Sequence, residues 1–467
     1  MRLIRRCFLK VRVEETAFNA GAVEGRWFSR GIGSSRLVRE GGWVALGQVG
    51  TILGSLAGLK ILTGLLPKEV YGQVNLLTVA MVLPGWVLFG PFLQAAVRMY
   101  AASREAGELT ALLRTSMVVY VLGSLLVVIV GLPLAATGVV GSVGISPIVL
   151  TLAIAVFLAD TWQSLGIGIC GAARRRARVA GVSTFAAWTR PVCAAAFLMT
   201  LGPSVQGTLA GYLVASLLAI PLAVRPMLSM AGEGRESWLR TEILRRMVMY
   251  GGPFAVFSVF SWGQNYLDRY VLQLALGAGA VGPYAAAFQV AGLPFNLGLA
   301  LLSQLITPVV FERAGTGLDP TRLASAGALV RRAVWLFLAT GGAAVLVFGF
   351  AGPSIMRLFT GSDYIVSGGI LAVLAAGALA QNTGQLLAAW LLAHNRSKVL
   401  IQVYVVPGSL SAPLSWLLVR LKGSLGAALA NAATSLIFLG MICWMLPSLA
   451  PGDRRSSCSD AGEAEQP

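Results

Sequence analysis

The chain has 467 residues, of which 56% are hydrophobic and 12% are charged, and its mean hydropathy is +0.76. A soluble protein of this length carries roughly twice that charged fraction and cannot bury so much apolar surface, so the composition predicts a polytopic membrane protein. The formal net charge of +17 does not indicate a nucleic-acid partner, because most Lys and Arg lie in short clusters between apolar runs.

The N-terminal segment, residues 1–42, carries nine Lys or Arg and four Glu before the first long apolar run. It lacks the continuous apolar core of a signal peptide. Two interpretations remain open. The stretch EGRWFSRGIGSSRLVRE lies along the membrane surface as a basic segment, or the whole segment is a disordered cytoplasmic arm or reflects a start codon placed too early.

Twelve apolar runs follow, each near the length of about 20 residues that an α-helix needs to cross the hydrocarbon core. They are 43–65, 74–97, 115–137, 147–170, 179–201, 205–225, 247–275, 283–310, 332–353, 364–393, 399–419 and 424–449. The predicted fold class is therefore an all-α polytopic membrane protein with about twelve transmembrane helices.

The connections between these runs alternate between rich and poor in basic residues. The connection after the fourth run holds RRRAR, whereas those before and after it hold no Lys or Arg. The alternation breaks once, at Arg420 and Lys422. The positive-inside rule then predicts that both termini are cytoplasmic, with the protein in the cell inner (plasma) membrane.

The chain reads as two six-helix halves. The predicted first lobe is 43–226, the cytoplasmic linker 227–246, the second lobe 247–449 and a disordered cytoplasmic tail 450–467. At an offset of 210 residues Gly72 matches Gly282, Leu83-Pro84 matches Leu293-Pro294, and Gln94 matches Gln304. An even number of helices per half makes the pseudo-repeat parallel. Such halves enclose a central cavity and alternate between inward-open and outward-open states.

Two stretches resemble a known family. LKILTGLLPKEVYGQVNLL (59–77) resembles the segment that joins the first two helices of polysaccharide flippases, and NYLDRYVLQLALGAGAVGPYAAAFQVAGLP (265–294) resembles its counterpart in the second half. The likeness extends over about residues 40–450. It indicates the lipid-linked oligosaccharide (O-antigen type) flippases of the MOP flippase superfamily, which also contains MATE drug exporters and lipid II flippases.

The resemblance implies a transporter, not an enzyme. It would move undecaprenyl-pyrophosphate-linked oligosaccharide from the inner to the outer leaflet for exopolysaccharide, capsule or O-antigen synthesis. The implied partners are the lipid-linked oligosaccharide, membrane lipids, and polysaccharide polymerase and glycosyltransferases.

A few charges fall inside the predicted spans, where a charge costs about 2.5–3.5 kcal/mol on insertion scales and therefore faces a cavity or a partner. Arg190, Arg269 and Lys60 are predicted to line the cavity and hold a pyrophosphate or acidic sugars, since guanidinium groups bind phosphate with paired hydrogen bonds. Asp160 and Asp268 are predicted either to balance these charges or to bind a coupling H⁺ or Na⁺.

Structural interpretations of the same residues stay open. Asp268 and Arg269 are also consistent with a local ion pair or with a contact that bridges helices, and Lys60 with a side chain that extends to the outer membrane interface. Gln264 and Asn265 are predicted either to hydrogen-bond sugar hydroxyls or only to join helices. Arg98 is predicted as a lipid-headgroup contact or a topological anchor, and Pro84 and Pro294 as hinges.

Other functions would require residues or loops of a different kind. The five cysteines lack C-x-x-C spacing and the chain has one histidine, so we expect no metal site and no organic cofactor. A multidrug or small-cation antiporter of the same superfamily would favour an acidic, aromatic cavity. A lipid II flippase usually has fourteen spans, and a membrane glycosyl polymerase or ligase needs catalytic groups on a substantial external loop.

Overall fold

The computed structural model describes residues 34–136, 146–232, 238–314, 320–393 and 397–445, which are almost entirely helical and include no strand. The predicted tail (450–467) and the N-terminal arm up to residue 33 lie outside the described residues. A lipid environment explains this architecture, because a helix satisfies its own backbone hydrogen bonds where no water is present.

Twelve long helices can be distinguished. They are α1 (Ser34–Leu65), α2 (Lys68–Glu105), α3 (Leu109–Ala136), α4 (Pro147–Ala172), α5 (Arg176–Leu201), α6 (Val205–Met230), α7 (Thr241–Leu276), α8 (Ala278–Ala314), α9 (Pro320–Phe359), α10 (Gly368–Ala393), α11 (397–422) and α12 (424–445).

The last two helices form a hairpin within a continuous helical stretch, Ser397–Met445. Gly423 breaks the stretch with φ 57° and ψ −133°, a conformation that only glycine adopts readily. Gly426 then packs directly on the backbone of Leu418, so the two arms run back along each other. The separate eleventh and twelfth spans of the sequence analysis are thus present.

Ten of the described helical stretches are long and apolar enough to cross a membrane, with the α11–α12 hairpin as one of them. Helix α7 is not among the ten. Its 36 residues, at about 1.5 Å each, exceed the thickness of a bilayer core, but it carries the polar stretch from Ser261 to Arg269. Several of these polar groups, among them those of Gln264 and Asp268, contact other helices, as described below. The fold class predicted from the sequence is confirmed.

Each half packs in the same way. Helix α1 packs on α5 and α4 on α6. Correspondingly, α7 packs on α11 through Gly408 and Phe260, and α10 packs on α12 through Gly377 and Ala432. Glycines allow the close approaches, and Gly54 lies against α5. The sequence placed the halves at 43–226 and 247–449; α1 already begins at Ser34 and α7 at Thr241.

We call the face on which α1 begins the terminal face and the opposite face the distal face. The halves meet tightly at the distal face, where Gly72 of α2 contacts the first turn of α8 and Gly282 of α8 contacts the first turn of α2. A Cβ on either glycine would overlap a backbone carbonyl of the other helix. The two positions paired by the 210-residue offset therefore lie against each other.

Three hydrogen-bonded links between α1 and the segment after α9 add to this distal closure. The Tyr364 hydroxyl donates to the Leu66 carbonyl at 2.8 Å, and the Gly361 amide donates to the Thr63 hydroxyl at 2.9 Å. The Lys60 ammonium donates to two carbonyls at the end of α9. At the terminal face, a carboxylate oxygen of Glu108, which precedes α3, lies 3.8 Å from a guanidinium nitrogen of Arg246 in α7.

Candidate substrate-binding cavity

A two-armed cavity lies inside the first lobe. One arm, of about 570 Å³, runs along α2 and is called the α2 arm. The other, of about 440 Å³, runs between α1 and α5 and is called the serine arm. Six residues line both arms and mark their junction: Tyr71, Asp160, Ser164, Arg190, Tyr212 and Gln289. Gln289 comes from α8, so the second lobe contributes to the junction.

The junction contains an ion pair. An Arg190 guanidinium nitrogen lies 2.6 Å from an Asp160 carboxylate oxygen, and the other carboxylate oxygen accepts a hydrogen bond of 2.7 Å from Ser216. The Arg190 guanidinium also lies 4.6 Å from the centre of the Tyr212 ring, within reach of a cation–π interaction. These contacts tie together the middles of α4, α5 and α6.

The pair is half-buried, with side-chain exposures of 36% for Arg190 and 35% for Asp160. The buried Nε of Arg190 has no hydrogen-bond partner among the described residues. A guanidinium has five N–H donors, and the hydrogen bond to Asp160 uses one terminal nitrogen, so Arg190, which lines both arms, keeps further donors on its terminal nitrogens. This arrangement can bind an anion through charge-assisted hydrogen bonds. Arg190 and Asp160 are also the only charged residues that line either arm in the described part of the chain.

Asp268 and Arg269 do not line either arm. Both are buried in the second lobe, with 3% and 4% exposure. The Asp268 carboxylate accepts hydrogen bonds from the Tyr284 hydroxyl and from the Arg269 backbone amide. The Arg269 guanidinium lies between two rings, 5.0 Å from Tyr266 and 4.4 Å from Phe288, and within the described residues no carboxylate is close enough to form a salt bridge with it.

The remaining predicted site residues also lie outside the cavity. Lys60 Nζ donates to the carbonyls of Arg357 at 2.7 Å and Thr360 at 2.6 Å, so it caps the C-terminal end of α9. Gln264 is buried and donates to the Gln381 side chain at 2.8 Å, whereas Asn265 donates to a carbonyl of its own helix. The substrate-binding roles given to these residues stay predictions.

The proposed hinges and the headgroup contact take different positions. Pro84 is followed by a π-helical turn, Gly85–Phe89, which widens α2 beside the cavity. Pro294 lies within the continuous helix α8. Arg98 is exposed on the part of α2 nearest the terminal face. The two prolines thus match in sequence, but only Pro84 precedes a change of helix type.

A comparison with known families decides the classification. The family described as Polysaccharide biosynthesis protein matches residues 37–312, more than half of the chain. The chain belongs to this polysaccharide biosynthesis protein family. The match covers the whole first lobe, including the Arg190–Asp160 pair, and α7 and most of α8. No curated protein is significantly similar to the chain.

Solved structures share the fold of this family member. The lipid II flippase MurJ in an inward closed conformation superposes with a TM-score of 0.65 at 13% identity, covering 88% of this chain and 87% of MurJ. An inward-facing multidrug resistance MATE transporter of the MOP superfamily superposes with a TM-score of 0.64 at 15% identity, covering 88% of this chain and 94% of that transporter. A MOP superfamily transporter from Pyrococcus furiosus, described with a binding pocket of reverse polarity, superposes with a TM-score of 0.61 at 16% identity. The superposition covers 89% of this chain and 95% of that transporter.

Sequence reasoning missed several residues of the cavity of this polysaccharide biosynthesis protein. Tyr71, Tyr212, Ser216 and Gln289 line it. Tyr212 and Ser216 are uncharged residues in an apolar span, where nothing marks them as exceptional, whereas Tyr71 and Gln289 lie in the two stretches that resemble flippases. Tyr284, the partner of Asp268, lies in the quoted stretch that resembles flippases, and this was the only signal for it.

Proposed function

We propose that the protein is a membrane transporter that moves undecaprenyl-pyrophosphate-linked oligosaccharide from the inner to the outer leaflet of the plasma membrane. The Arg190–Asp160 pair carries this proposal, because it places an anion-binding group at a cavity inside the membrane-spanning bundle. The family supports a role in polysaccharide synthesis, such as that of exopolysaccharide, capsule or O-antigen. Glycosyltransferases would supply the substrate, and a polymerase would consume the product.

The geometry supports an alternating-access cycle. The lobes are joined at the distal face by the Gly72–Gly282 crossing and the hydrogen bonds of Lys60, Thr63 and Tyr364. With both termini in the cytoplasm, this is the state closed to the outside. The pyrophosphate enters the cavity and binds Arg190, and the distal contacts then separate to release it to the other leaflet.

The direct test is transport of a fluorescent polyprenyl-pyrophosphate oligosaccharide in proteoliposomes. Loss of one charge-assisted contact, worth about 1.5–3 kcal/mol, lowers substrate affinity about 10–100-fold in Arg190→Ala. Arg190→Lys keeps the charge but loses the planar fork, so we expect an intermediate value. Arg420→Ala is the matched control, because its guanidinium packs 4.4 Å from the Trp416 ring and lines neither arm. Equal transport by all variants would refute the proposal.

A driving ion belongs to the same proposal. Asp160 faces the cavity and Asp268 is buried beside Tyr284, so either carboxylate supplies a group for coupling to H⁺ or Na⁺. Transport that rises with an imposed proton gradient but not a sodium gradient would assign H⁺, and the converse would assign Na⁺. Transport that is indifferent to both would remove ion coupling from the proposal.

A multidrug or small-cation antiporter is the second candidate. Asp160 favours it, because a carboxylate in a cavity lined by Trp86, Tyr120 and Tyr212 can bind an organic cation. Drug efflux by cells that express the protein, without transport of any lipid-linked glycan, would establish this function instead. The same proteoliposome assay with lipid II as the substrate tests the remaining flippase alternative.

A further inference from the structure

We propose that the serine arm is a carbohydrate subsite that binds the sugar attached to the phosphate, while the α2 arm takes the apolar part of the substrate. This inference deepens the proposed function and rests on it. The two arms diverge from the same arginine, so an anion held at Arg190 would have one arm for each of its substituents.

The first observation is the chemistry of the two linings. The residues found only in the serine arm include Thr51, Ser55, Gln163, Ser183 and Ser216. None of the residues found only in this arm is aromatic. Residues found only in the α2 arm are mostly large and apolar, among them Leu77, Met81, Phe89, Leu93 and Phe157. Hydroxyl and amide groups suit a polyhydroxyl ring, whereas the apolar lining suits an isoprenoid chain.

The second observation is how many of these polar groups already have partners. In the α2 arm, the hydroxyls of Thr78, Tyr120 and Thr161 each donate to a backbone carbonyl. Asn75 is the exception there, since its buried Oδ1 has no partner. Most of the hydroxyls of the α2 arm are therefore not free to bind a ligand.

The serine arm differs in this respect. Within the described residues, the hydroxyls of Ser55, Ser164 and Ser183 and the amide of Gln163 form no hydrogen bond, whereas Thr51 donates to a carbonyl of α1. Gln163 is only 8% exposed, yet its polar atoms are not enclosed by protein. Buried polar groups are ordinarily hydrogen-bonded, and Gln163 is the buried member of the four. Ser55 and Ser183 are half-buried and Ser164 is exposed, so the unpartnered polar groups of all four are accessible to a ligand in the cavity.

The third observation concerns size and shape. Gly54 and Gly58 of α1 face α5, where a Cβ at either position would press on Ala187 or Pro191. These glycines therefore hold α1 and α5 close together along one side of the arm, which keeps the arm narrow there. At about 440 Å³ the arm falls in the ~300–1,000 Å³ range of small-molecule pockets, which suits a short glycan rather than a polymer.

Binding by the full-length protein in nanodiscs tests this assignment with two probes. One is polyprenyl pyrophosphate without sugar and the other is polyprenyl pyrophosphate with a single neutral hexose. For Ser55→Ala/Ser183→Ala and for Gln163→Leu, we expect about tenfold weaker binding of the glycosylated probe and unchanged binding of the bare probe. Thr200→Val is the control, since this hydroxyl lies at the exposed end of α5 outside both arms.

The outcomes separate the two proposals. Equal weakening of both probes, or no weakening of either, would overturn the carbohydrate subsite. A selective loss with Trp86→Ala instead would move the sugar to the α2 arm and overturn it as well. Wild-type protein that binds neither probe would refute the proposed function itself, and the subsite with it. Melting temperatures matching that of the control exclude misfolding as the cause of a loss.

Discussion

Asp160→Asn provides a sharp test of the cavity, because it should shift stability and anion affinity in opposite directions. The carboxylate neutralises Arg190 at 2.6 Å and accepts a hydrogen bond from Ser216. Asparagine keeps the shape and an acceptor oxygen but removes the charge. Arg190 then remains in the cavity wall with no counter-ion, and its spare donors become available to an anionic ligand.

The magnitude follows from burial. Exposed ion pairs contribute about 0–1 kcal/mol, and breaking fully buried ones costs about 3–5 kcal/mol. Because both partners are about one-third exposed, the contribution of this pair to stability lies between these limits, and screening by water in the cavity reduces it. We expect a loss of about 1–2 kcal/mol of stability and a rise of roughly tenfold in affinity for pyrophosphate.

Thermal unfolding in detergent and titration with inorganic pyrophosphate measure the two effects on the same sample. The matched control is Glu242→Gln, whose carboxylate lies at the same 2.6 Å from Arg246 but is 78% exposed. Its removal should change neither quantity measurably. A weaker binding of pyrophosphate by Asp160→Asn, or equal destabilisation by both variants, would refute the reasoning.

Two further predictions concern the contacts outside the cavity. Gly72→Ala places a methyl group on a carbonyl at the start of α8, so it should lower the stability by about 1–3 kcal/mol and raise the labelling of cysteines introduced at the distal face. Gly64→Ala is the control, since Gly64 has open space around it, and it should change neither quantity. Tyr284→Phe leaves the buried Asp268 carboxylate without its hydroxyl donor and should lower thermal stability by about 1–3 kcal/mol; the exposed Tyr250→Phe should leave it unchanged.

The helices and their number could be predicted from the sequence because each apolar run is long enough to form a span by itself. The charged residues in those runs were also visible, Arg190 and Asp160 among them. Their pairing was not predictable, since it depends on which faces of α4 and α5 meet and at what height. That register depends on close contacts through α6, such as Gly166 of α4 against Ala223 and Gly211 of α6 against Ala194 of α5, which no sequence pattern specifies.

Asp268 and Arg269 illustrate a different limit. Their adjacency in the chain suggested an ion pair, but consecutive residues of a helix point about 100° apart and do not face each other. Asp268 therefore bonds to Tyr284 of α8, and Arg269 packs against Phe288 of the same helix. A salt bridge within α7 would have required a spacing of three or four residues.

The distribution of contacts between the lobes bears on how the protein works. The distal contacts include backbone carbonyls as acceptors for Lys60 and Tyr364, and a glycine crossing in which helices touch along their backbones. Such contacts would break as a set if the helices separated, so we expect the distal face to open cooperatively rather than gradually. Gln289 of α8 lies at the junction of the cavity arms, so a ligand bound to Arg190 would also meet the second lobe there. Ligand binding and the separation of α2 from α8 would then be coupled through a single helix.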